Sequence, residues 1–333
     1  MTPLRVLVAP DKLRGTATAG QAAAAIAAGV QSAGGGADSC PLSDGGEGFL
    51  ESLGGPNRTS QVADALGRTI EVPWRLDGEL AVIETALLST TVLAAGPGPA
   101  EAEAATSTGA GELIAAALRA GARRVLVGLG GSAFSDGGFG ALAGLADLVP
   151  FGPDRQVLLA CDVATGYLDA ARVFGPQKGA DRPAVERLSQ RLAEQAVLLA
   201  DRFGRDATVP GTGAAGGLSG GLYAAGAELR SGLDMVAERV GLAERLATAD
   251  LVITAEGRLD GSSLTGKVAG GLIQRAACPV WVIAGSVQPG LAVPDRVGTF
   301  DLTAEFGADR AHSDTAGCLT EAARWIVGAI GFG

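Results

Sequence analysis

Two turns built from an acid and glycines are the first residues of this chain that could do chemistry. "SDGG" occurs at residues 43–46, within "LSDGGEG", and returns at 135–138, within "GLGGSAFSDGG". In each copy a strand-like run gives way to a glycine-rich loop and then a helix, a place where backbone N–H groups converge on anions. For one copy alone, an Asp cap in a tight turn is the simpler interpretation. The two copies together favour a functional role for Asp44 and Asp136.

Two further glycine-rich segments match nucleotide-binding motifs in part. "GTGAAGG" (211–217) contains G-x-G-x-x-G, but no buried strand precedes it, so Gly213 and Gly216 indicate an anion-holding helix start more than a dinucleotide site. A nicotinamide-dependent oxidoreductase therefore stays a minor alternative. "GSSLTGKV" (261–268) has Walker A spacing except that Val268 replaces the magnesium-binding Ser or Thr. Lys267 remains a candidate phosphate contact.

Composition excludes several other classes of function. With 26 basic and 36 acidic residues the formal charge is −10, so the broad positive field that nucleic acids select is missing. The four cysteines form no C-x-x-C pair, which predicts a reducing compartment, the cytoplasm. The sequence shows neither a signal peptide nor an 18-residue apolar run, so we expect no export and no membrane span. His312 is the one histidine, and carboxylates and lysines must carry the chemistry.

The elements that position these residues follow from hydrophobic patterns. "RVLVAP" (5–10) predicts a strand, and the Ala-rich stretch 18–33 predicts a helix. Three later apolar runs, beginning at 249, 278 and 297, alternate with helical stretches, which is the pattern of a parallel β/α sheet. From about residue 58 short runs separated by turn signals predict antiparallel strands, and 182–204 has the period of an amphipathic helix. We therefore predict a Rossmann-like α/β domain with a parallel sheet (1–58 and 245–333), split around an inserted α/β domain with a mixed sheet (59–244).

The order of the motifs resembles that of the type 1 glycerate kinase family over nearly the whole chain. The matching segments are "APDKLRGT", "LSDGGEG", "GLGGSAFSDGG", "CDV", "VFGPQKGA", "GTGAAGG", "ITAEGRLD" and "GK". The resemblance implies two α/β domains with the active site in the cleft between them. It also implies that ATP and Mg²⁺ are used to phosphorylate D-glycerate, with 2-phosphoglycerate favoured over 3-phosphoglycerate as the product.

Phosphoryl transfer needs cations, backbone amides and metal-binding carboxylates, and the resemblance assigns candidates to each role. The expected catalytic residues are Asp136, Asp44 and Lys178. Expected to bind substrate or phosphate are Asp11, Arg14, Gly130, Gly131, Ser132, Gly213, Gly216 and Lys267; expected to hold magnesium are Glu256 and Asp260. Asp136 is preferred over Asp44 as the base because Gly130 and Gly131 before it let a ligand approach closely, whereas Asp44 has Glu47 nearby and suits metal or water.

Several departures from the family pattern leave the identity of the phosphoryl acceptor open. Arg14, in "DKLRG", takes a lysine position, and Ala255 stands where the family usually has Gly. The loop after Cys161-Asp162-Val163 is short and lacks the usual Asn-Pro pair. A kinase for another small hydroxy acid and a non-catalytic nucleotide- or carboxylate-binding member therefore remain alternatives. The sequence also leaves a homo-oligomer open.

Overall fold

Eleven strands and fifteen α-helices make up the part of the chain that the computed structural model describes, residues 3–264 and 267–331. The strands are β1 Arg5–Val8, β2 Gly36–Ser39, β3 Arg58–Ala63, β4 Thr69–Asp77, β5 Leu80–Glu84, β6 Arg124–Gly128, β7 Gln156–Ala160, β8 Glu228–Arg230, β9 Leu251–Leu259, β10 Val280–Val287 and β11 Val297–Asp301. The helices are α1 Ala19–Ser32, α2 Phe49–Ser52, α3 Thr90–Ala94, α4 Pro99–Ala104, α5 Thr108–Arg119, α6 Phe139–Leu145, α7 Ala170–Phe174, α8 Arg182–Phe203, α9 Leu218–Ala224, α10 Gly232–Val240, α11 Leu242–Thr248, α12 Val268–Arg275, α13 Leu302–Phe306, α14 Ala308–Ser313 and α15 Thr315–Gly331.

The chain divides into two units with separate cores. Unit 1 comprises residues 1–44 and 233–333, so far as these are described, and unit 2 comprises residues 45–232. The first SDGG turn is therefore divided, with Asp44 in unit 1 and Gly45 in unit 2. Residues just after this border are tied to unit 2, because the backbone N–H groups of Gly48 and Leu50 donate to the carboxylate of Glu84 at the end of β5 (3.1 and 2.9 Å). The borders that the sequence predicts, after 58 and 244, lie downstream of these.

Unit 1 contains a parallel sheet, as the sequence predicts. Its strand order over the described residues is β11-β10-β9-β1-β2, and every pairing is parallel. The apolar strands bury Val8 and Ile253 under helices α1 and α15. The two helices approach closely at Gly29, where a Cβ atom would lie 2.2 Å from the carbonyl oxygen of Thr320. Parallel pairing brings the carboxyl ends of β1 and β9 to one edge; Asp11 follows β1, Asp260 follows β9, and Glu256 lies in the carboxyl-terminal half of β9.

Unit 2 contains the predicted mixed sheet. The order is β3-β4-β5-β6-β7-β8, with β3, β4 and β5 antiparallel and β5 to β8 parallel. The predicted amphipathic helix is confirmed as α8, which begins after the cap residue Asp181 and buries Leu188 and Leu192. The second SDGG turn connects β6 to α6. In the described residues no helix has the length and apolar character that would be needed to cross a bilayer.

Candidate active site

Two acids of unit 1 lie close to each other, Asp11 in the loop after β1 and Glu256 in the carboxyl-terminal half of β9. The backbone N–H of Asp11 donates to the carbonyl oxygen of Ala255 at 3.0 Å, which holds Asp11 beside the middle of β9, next to Glu256. The following loop is tight, because the backbone groups of Leu13 and Ala17 bond each other in both directions (2.9 and 3.0 Å). The acid is therefore presented by a short loop with a fixed backbone.

Glu256 is a buried acid with an unsatisfied oxygen. Its Oε1 has no hydrogen-bond partner among the described residues, and the residue is 8% exposed. Burial raises the pKa of Glu256 to about 7; a hydrogen bond from Ser263 and the charge of Lys267 oppose this shift, and the charges of Asp11 and Asp260 add to it. An unpaired buried carboxylate is costly unless a ligand or cation satisfies it.

Asp11 is similarly perturbed. Burial raises the pKa of Asp11 to about 6; the charge of Lys12 opposes the shift, and the charge of Asp44 adds to it, so Asp44 lies within electrostatic reach. The ammonium nitrogen of Lys12 lies 3.6 Å from Asp11 Oδ1, and the Lys12 backbone N–H donates to the same oxygen at 2.7 Å. A carboxyl group with a pKa near neutrality, beside a cation, suits proton transfer.

The remaining candidates of unit 1 lie on nearby loops. Asp260 accepts two hydrogen bonds from Ser262, from its N–H at 2.9 Å and its hydroxyl at 2.6 Å, and these lower the pKa of Asp260. Lys267 precedes α12 and is half-buried, and Arg14 is exposed with its backbone N 3.5 Å from where a Cβ of Gly257 would be. Gly266, of the Walker-like segment, lies outside the described residues. No cluster of three His, Cys, Asp or Glu side chains suited to a metal occurs in residues 3–264 and 267–331.

In unit 2 the loop from β6 to α6 carries the second group of candidates. Gly130 N donates to Gly45 O at 3.0 Å, and a Cβ on Gly130 would lie 2.6 Å from the Cα of Gly46. Only glycine allows this approach of two backbones, so the glycines of the two motifs contact each other within unit 2. Gly131 is exposed with φ +74°, and Ser132 beside it is buried. These two residues continue the loop toward Asp136.

Asp136 is held by five donors. Its Oδ2 accepts from the Ser107 N–H (2.7 Å), the Ser107 hydroxyl (3.0 Å), the Thr106 hydroxyl (3.1 Å) and the Gly140 N–H (3.1 Å). Its Oδ1 accepts from the Gly138 N–H at 3.2 Å. The carboxylate thus caps the turn and ties it to the segment before α5, which is the role of a structural anchor.

Lys178 lies under the same loop. Its Nζ donates to the carbonyl oxygen of Phe134 at 2.5 Å, and the residue is 5% exposed. Burial lowers the pKa of Lys178 to about 7, and the nearby charge of Asp136 opposes this shift. Two more side chains hold the same loop: the Tyr167 hydroxyl donates to Gly137 O at 2.9 Å, and the Gln195 amide donates to Asp136 O at 3.1 Å.

The glycines of "GTGAAGG" are packed against backbone. A Cβ on Gly213 would lie 2.4 Å from the carbonyl oxygen of Gly166, and one on Gly216 would lie 1.9 Å from that of Phe134. Gly216 also has φ +66°, and its carbonyl accepts from Gly137 N at 3.1 Å. Both glycines therefore allow neighbouring loops to pack closely against their backbone. The phosphate contact that the sequence predicts for them remains a prediction.

Several residues that build the site belong to none of the motifs. Lys12 adjoins Asp11, and its position directly beside a candidate acid is the one sequence signal that indicates it. Ser107 and Gln195 hold Asp136 and its turn from 29 and 59 residues away, and no local pattern could have indicated them.

The described geometry can be set beside known proteins. A family model for the glycerate kinase family matches residues 6–149 and 148–330. An uncharacterized protein of Mycobacterium bovis is 45% identical over 304 residues, covering 86% of this chain and 80% of its own. The glycerate 2-kinase of Escherichia coli is 33% identical over 377 residues, covering 99% of both chains. A solved structure from Salmonella typhimurium LT2 that carries the name glycerate kinase 2 superposes with a TM-score of 0.79 at 31% identity, covering 99% of each chain.

Proposed function

The chain belongs to the glycerate kinase family, and from this premise we propose that it transfers the γ-phosphoryl group of ATP to D-glycerate, giving 2-phosphoglycerate. The choice of the 2-position is supported by the full-length similarity to a relative named glycerate 2-kinase. One structural observation carries the proposal. Asp11, whose side chain is 13% exposed, follows β1, and the buried Glu256 lies in the carboxyl-terminal half of the neighbouring parallel strand β9. Both have raised pKa values, and this is the edge at which α/β sheets bind their ligands.

Glu256 and Asp260 fit a magnesium ion by their chemistry. The unpartnered Glu256 Oε1 is a buried oxygen that a cation would satisfy, and Asp260 follows it in the loop after β9. Mg²⁺ is commonly bound by one or two carboxylates together with waters and substrate phosphates, so a cluster of three acids is not needed. When bound, the ion would neutralise the charge on the β- and γ-phosphates.

For the proton of the acceptor hydroxyl we propose Asp11. The sequence alone favours Asp136, but five hydrogen bonds occupy that carboxylate, whereas Asp11 is held by the backbone and a single neighbouring residue. A pKa of about 6 leaves Asp11 ionised at neutral pH and close to the optimum for a general base. Asp44, within electrostatic reach, is proposed to orient water or metal.

Unit 2 supplies anion-binding backbone in this proposal. In the loop that begins at Gly130, whose own N–H donates to Gly45 O, the N–H groups of Gly131 and Ser132 are proposed to face phosphate or carboxylate oxygens. Lys178 is too deeply buried to reach a ligand directly, so we propose that it holds the loop through Phe134. Arg14 and Lys267, the other cations, are proposed to contact the substrates' anionic groups. We also keep the reducing cytoplasm as the proposed location, supported by four unpaired cysteines.

An acceptor screen tests the function. Purified protein with ATP and Mg²⁺ is offered D-glycerate, L-glycerate and other small hydroxy acids, and ADP formation is followed with an acceptor-free control. The product is identified by phosphorus–proton correlation, which tells the 2- from the 3-phosphate. We expect turnover with D-glycerate and a 2-phosphate product. If another hydroxy acid gave faster ADP formation than D-glycerate, that acid would be the proposed acceptor instead. ADP formation at the same rate without any acceptor would refute phosphoryl transfer to a hydroxy acid.

A further inference from the structure

The chain uses lysine very sparingly. Of its 26 basic residues only three are lysines, Lys12, Lys178 and Lys267, and the other 23 are arginines. None of the three is an exposed residue, and each lies beside a candidate acid or under a candidate loop. By contrast, the arginines in the ion pairs that the structure describes expose between 24% (Arg75) and 91% (Arg182) of their side chains. Arginine thus forms the exposed ion pairs, and all three ammonium groups lie on residues that are buried or partly buried.

Lys12 is the lysine without an assigned role. Its side chain is 15% exposed, and that of its ion-pair partner Asp11 is 13% exposed. The 3.6 Å between Lys12 Nζ and Asp11 Oδ1 exceeds hydrogen-bond length, so the pair is electrostatic and the ammonium donors are not used up by the carboxylate. No hydrogen bond from this ammonium to another described residue is present. The two bonds between Leu13 and Ala17 fix the backbone that carries it.

We propose that Lys12 is a catalytic cation whose ammonium contacts the transferring γ-phosphoryl group of the nucleotide while Asp11 receives the acceptor proton; this inference rests on the proposed kinase function. In that step the acceptor oxygen bonds to the γ-phosphorus, and the bond from that phosphorus to the β–γ bridging oxygen breaks. The bridging oxygen leaves on ADP with the electron pair, and the hydroxyl proton passes to Asp11.

The chemistry explains why lysine suits this position. An ammonium has three donors that rotate freely, so it can face a carboxylate and a phosphate together. A guanidinium at the same place would form a two-bond fork with Asp11 and occupy the base. Charge accumulates on the equatorial oxygens of the transferring group, and a fixed cation lowers the barrier by stabilising that charge.

Kinetics on Lys12→Met form the first half of the test. Loss of one donor that acts in the transition state typically costs about 10²–10³-fold in kcat. We therefore expect kcat with saturating ATP and acceptor to fall by that factor, with the melting temperature unchanged. The control variant Arg123→Met removes an exposed surface cation paired with Glu79 and should keep the wild-type kcat. A Lys12→Met enzyme that keeps kcat within about threefold of the wild type would overturn the proposal, as would a loss of kcat that is matched by partial unfolding.

Lysine acetylation read by mass spectrometry forms the second half, because three lysines are simple to resolve. The full chain is treated with an acetylating reagent in the presence of Mg²⁺, with and without β,γ-imido-ATP and without any acceptor. We expect the nucleotide to slow acetylation of Lys12 about tenfold or more, as one well-made charge contact would. Unchanged labelling of Lys12 at saturating nucleotide would refute the contact. Failure of the proposed function would look different: no hydroxy acid would be turned over by the wild type, whatever the labelling shows.

Discussion

Replacing Asp136 by Asn separates the two roles that this residue can have. The sequence favours a general base, whereas the structure shows a carboxylate that accepts five hydrogen bonds. Asn has the same shape, so it removes the charge and one acceptor oxygen without making a cavity. If Asp136 is an anchor, the damage appears in the stability of unit 2; if it is the base, the damage appears in catalysis.

The magnitude follows from the five contacts. The Asn carbonyl can replace Oδ2 and keep its four donors, but those bonds lose their charge assistance, worth about 1 kcal/mol each. The amide NH₂ then faces the Gly138 N–H, which loses its acceptor and adds roughly another 1 kcal/mol. We therefore expect the free energy of unfolding to fall by about 4–5 kcal/mol. The control variant Asp181→Asn changes a helix cap with one bond to Ala184 N (2.9 Å), where Asn serves as well as Asp, so we expect little change.

The assay is urea unfolding followed by tryptophan fluorescence. Trp74 lies buried in unit 2, so a background with Trp281 and Trp325 replaced by Phe reports on that unit alone. The midpoint is compared for the background, Asp136→Asn and Asp181→Asn, and the pH dependence of kcat is measured for each. We expect a large drop in midpoint for Asp136→Asn and an unchanged acidic limb of the pH profile. An unchanged midpoint with kcat lowered 10²–10⁴-fold would refute the anchor and identify Asp136 as the base.

Three further results are expected. Because the folded pKa of Glu256 is raised from 4.5 to about 7, the unfolding free energy should fall by up to about 3 kcal/mol as pH rises between those values, and Glu256→Gln should remove that fall in urea titrations. Because the folded pKa of Lys178 is lowered from 10.5 to about 7, stability should rise with pH through that interval; Lys178→Met should abolish the rise, and a persistent slope would mean that Lys178 is not its source. Gly130→Ala should lower the unfolding free energy by at least about 2 kcal/mol, because its Cβ would lie 2.6 Å from the Gly46 backbone. The control Gly152→Ala, whose Cβ would meet nothing within 4 Å, should lower it by less than about 1 kcal/mol, and equal losses for the two variants would contradict the close approach.

Much of the fold was accessible from periodicity. The helix predicted over 18–33 is confirmed as α1, and Thr18 caps it, with its side chain accepting from Gln21 N. The run 182–204 is confirmed as α8, since long amphipathic patterns are unambiguous. Strand β8, Glu228–Arg230, is three residues long and has no apolar pattern, so nothing in the local sequence marked it.

The site was less accessible because its contacts join distant residues. The sequence locates Asp136 in a glycine turn, but Thr106 and Ser107, which occupy its carboxylate, lie about thirty residues earlier. A G-x-G-x-x-G spelling cannot tell a glycine that faces a phosphate from one that faces a carbonyl, and Gly216 faces Phe134 O. The sequence around Lys178 indicates only a lysine in a turn. Its burial depends on how the loop from β6 to α6 packs against it in three dimensions.

The position of β1 has a consequence for how the protein is made on the ribosome. This strand lies between β2 and β9, and its residue Arg5 is hydrogen-bonded to Asp250, the residue before β9, which is 245 residues away in the chain. At a synthesis rate of about 5–20 residues per second, one edge of β1 waits roughly 10–50 s for β9 to emerge. Unit 2, which is continuous, is translated in full during that interval and can fold first. The early strand must meanwhile be kept from pairing with other nascent chains, as an open apolar edge invites.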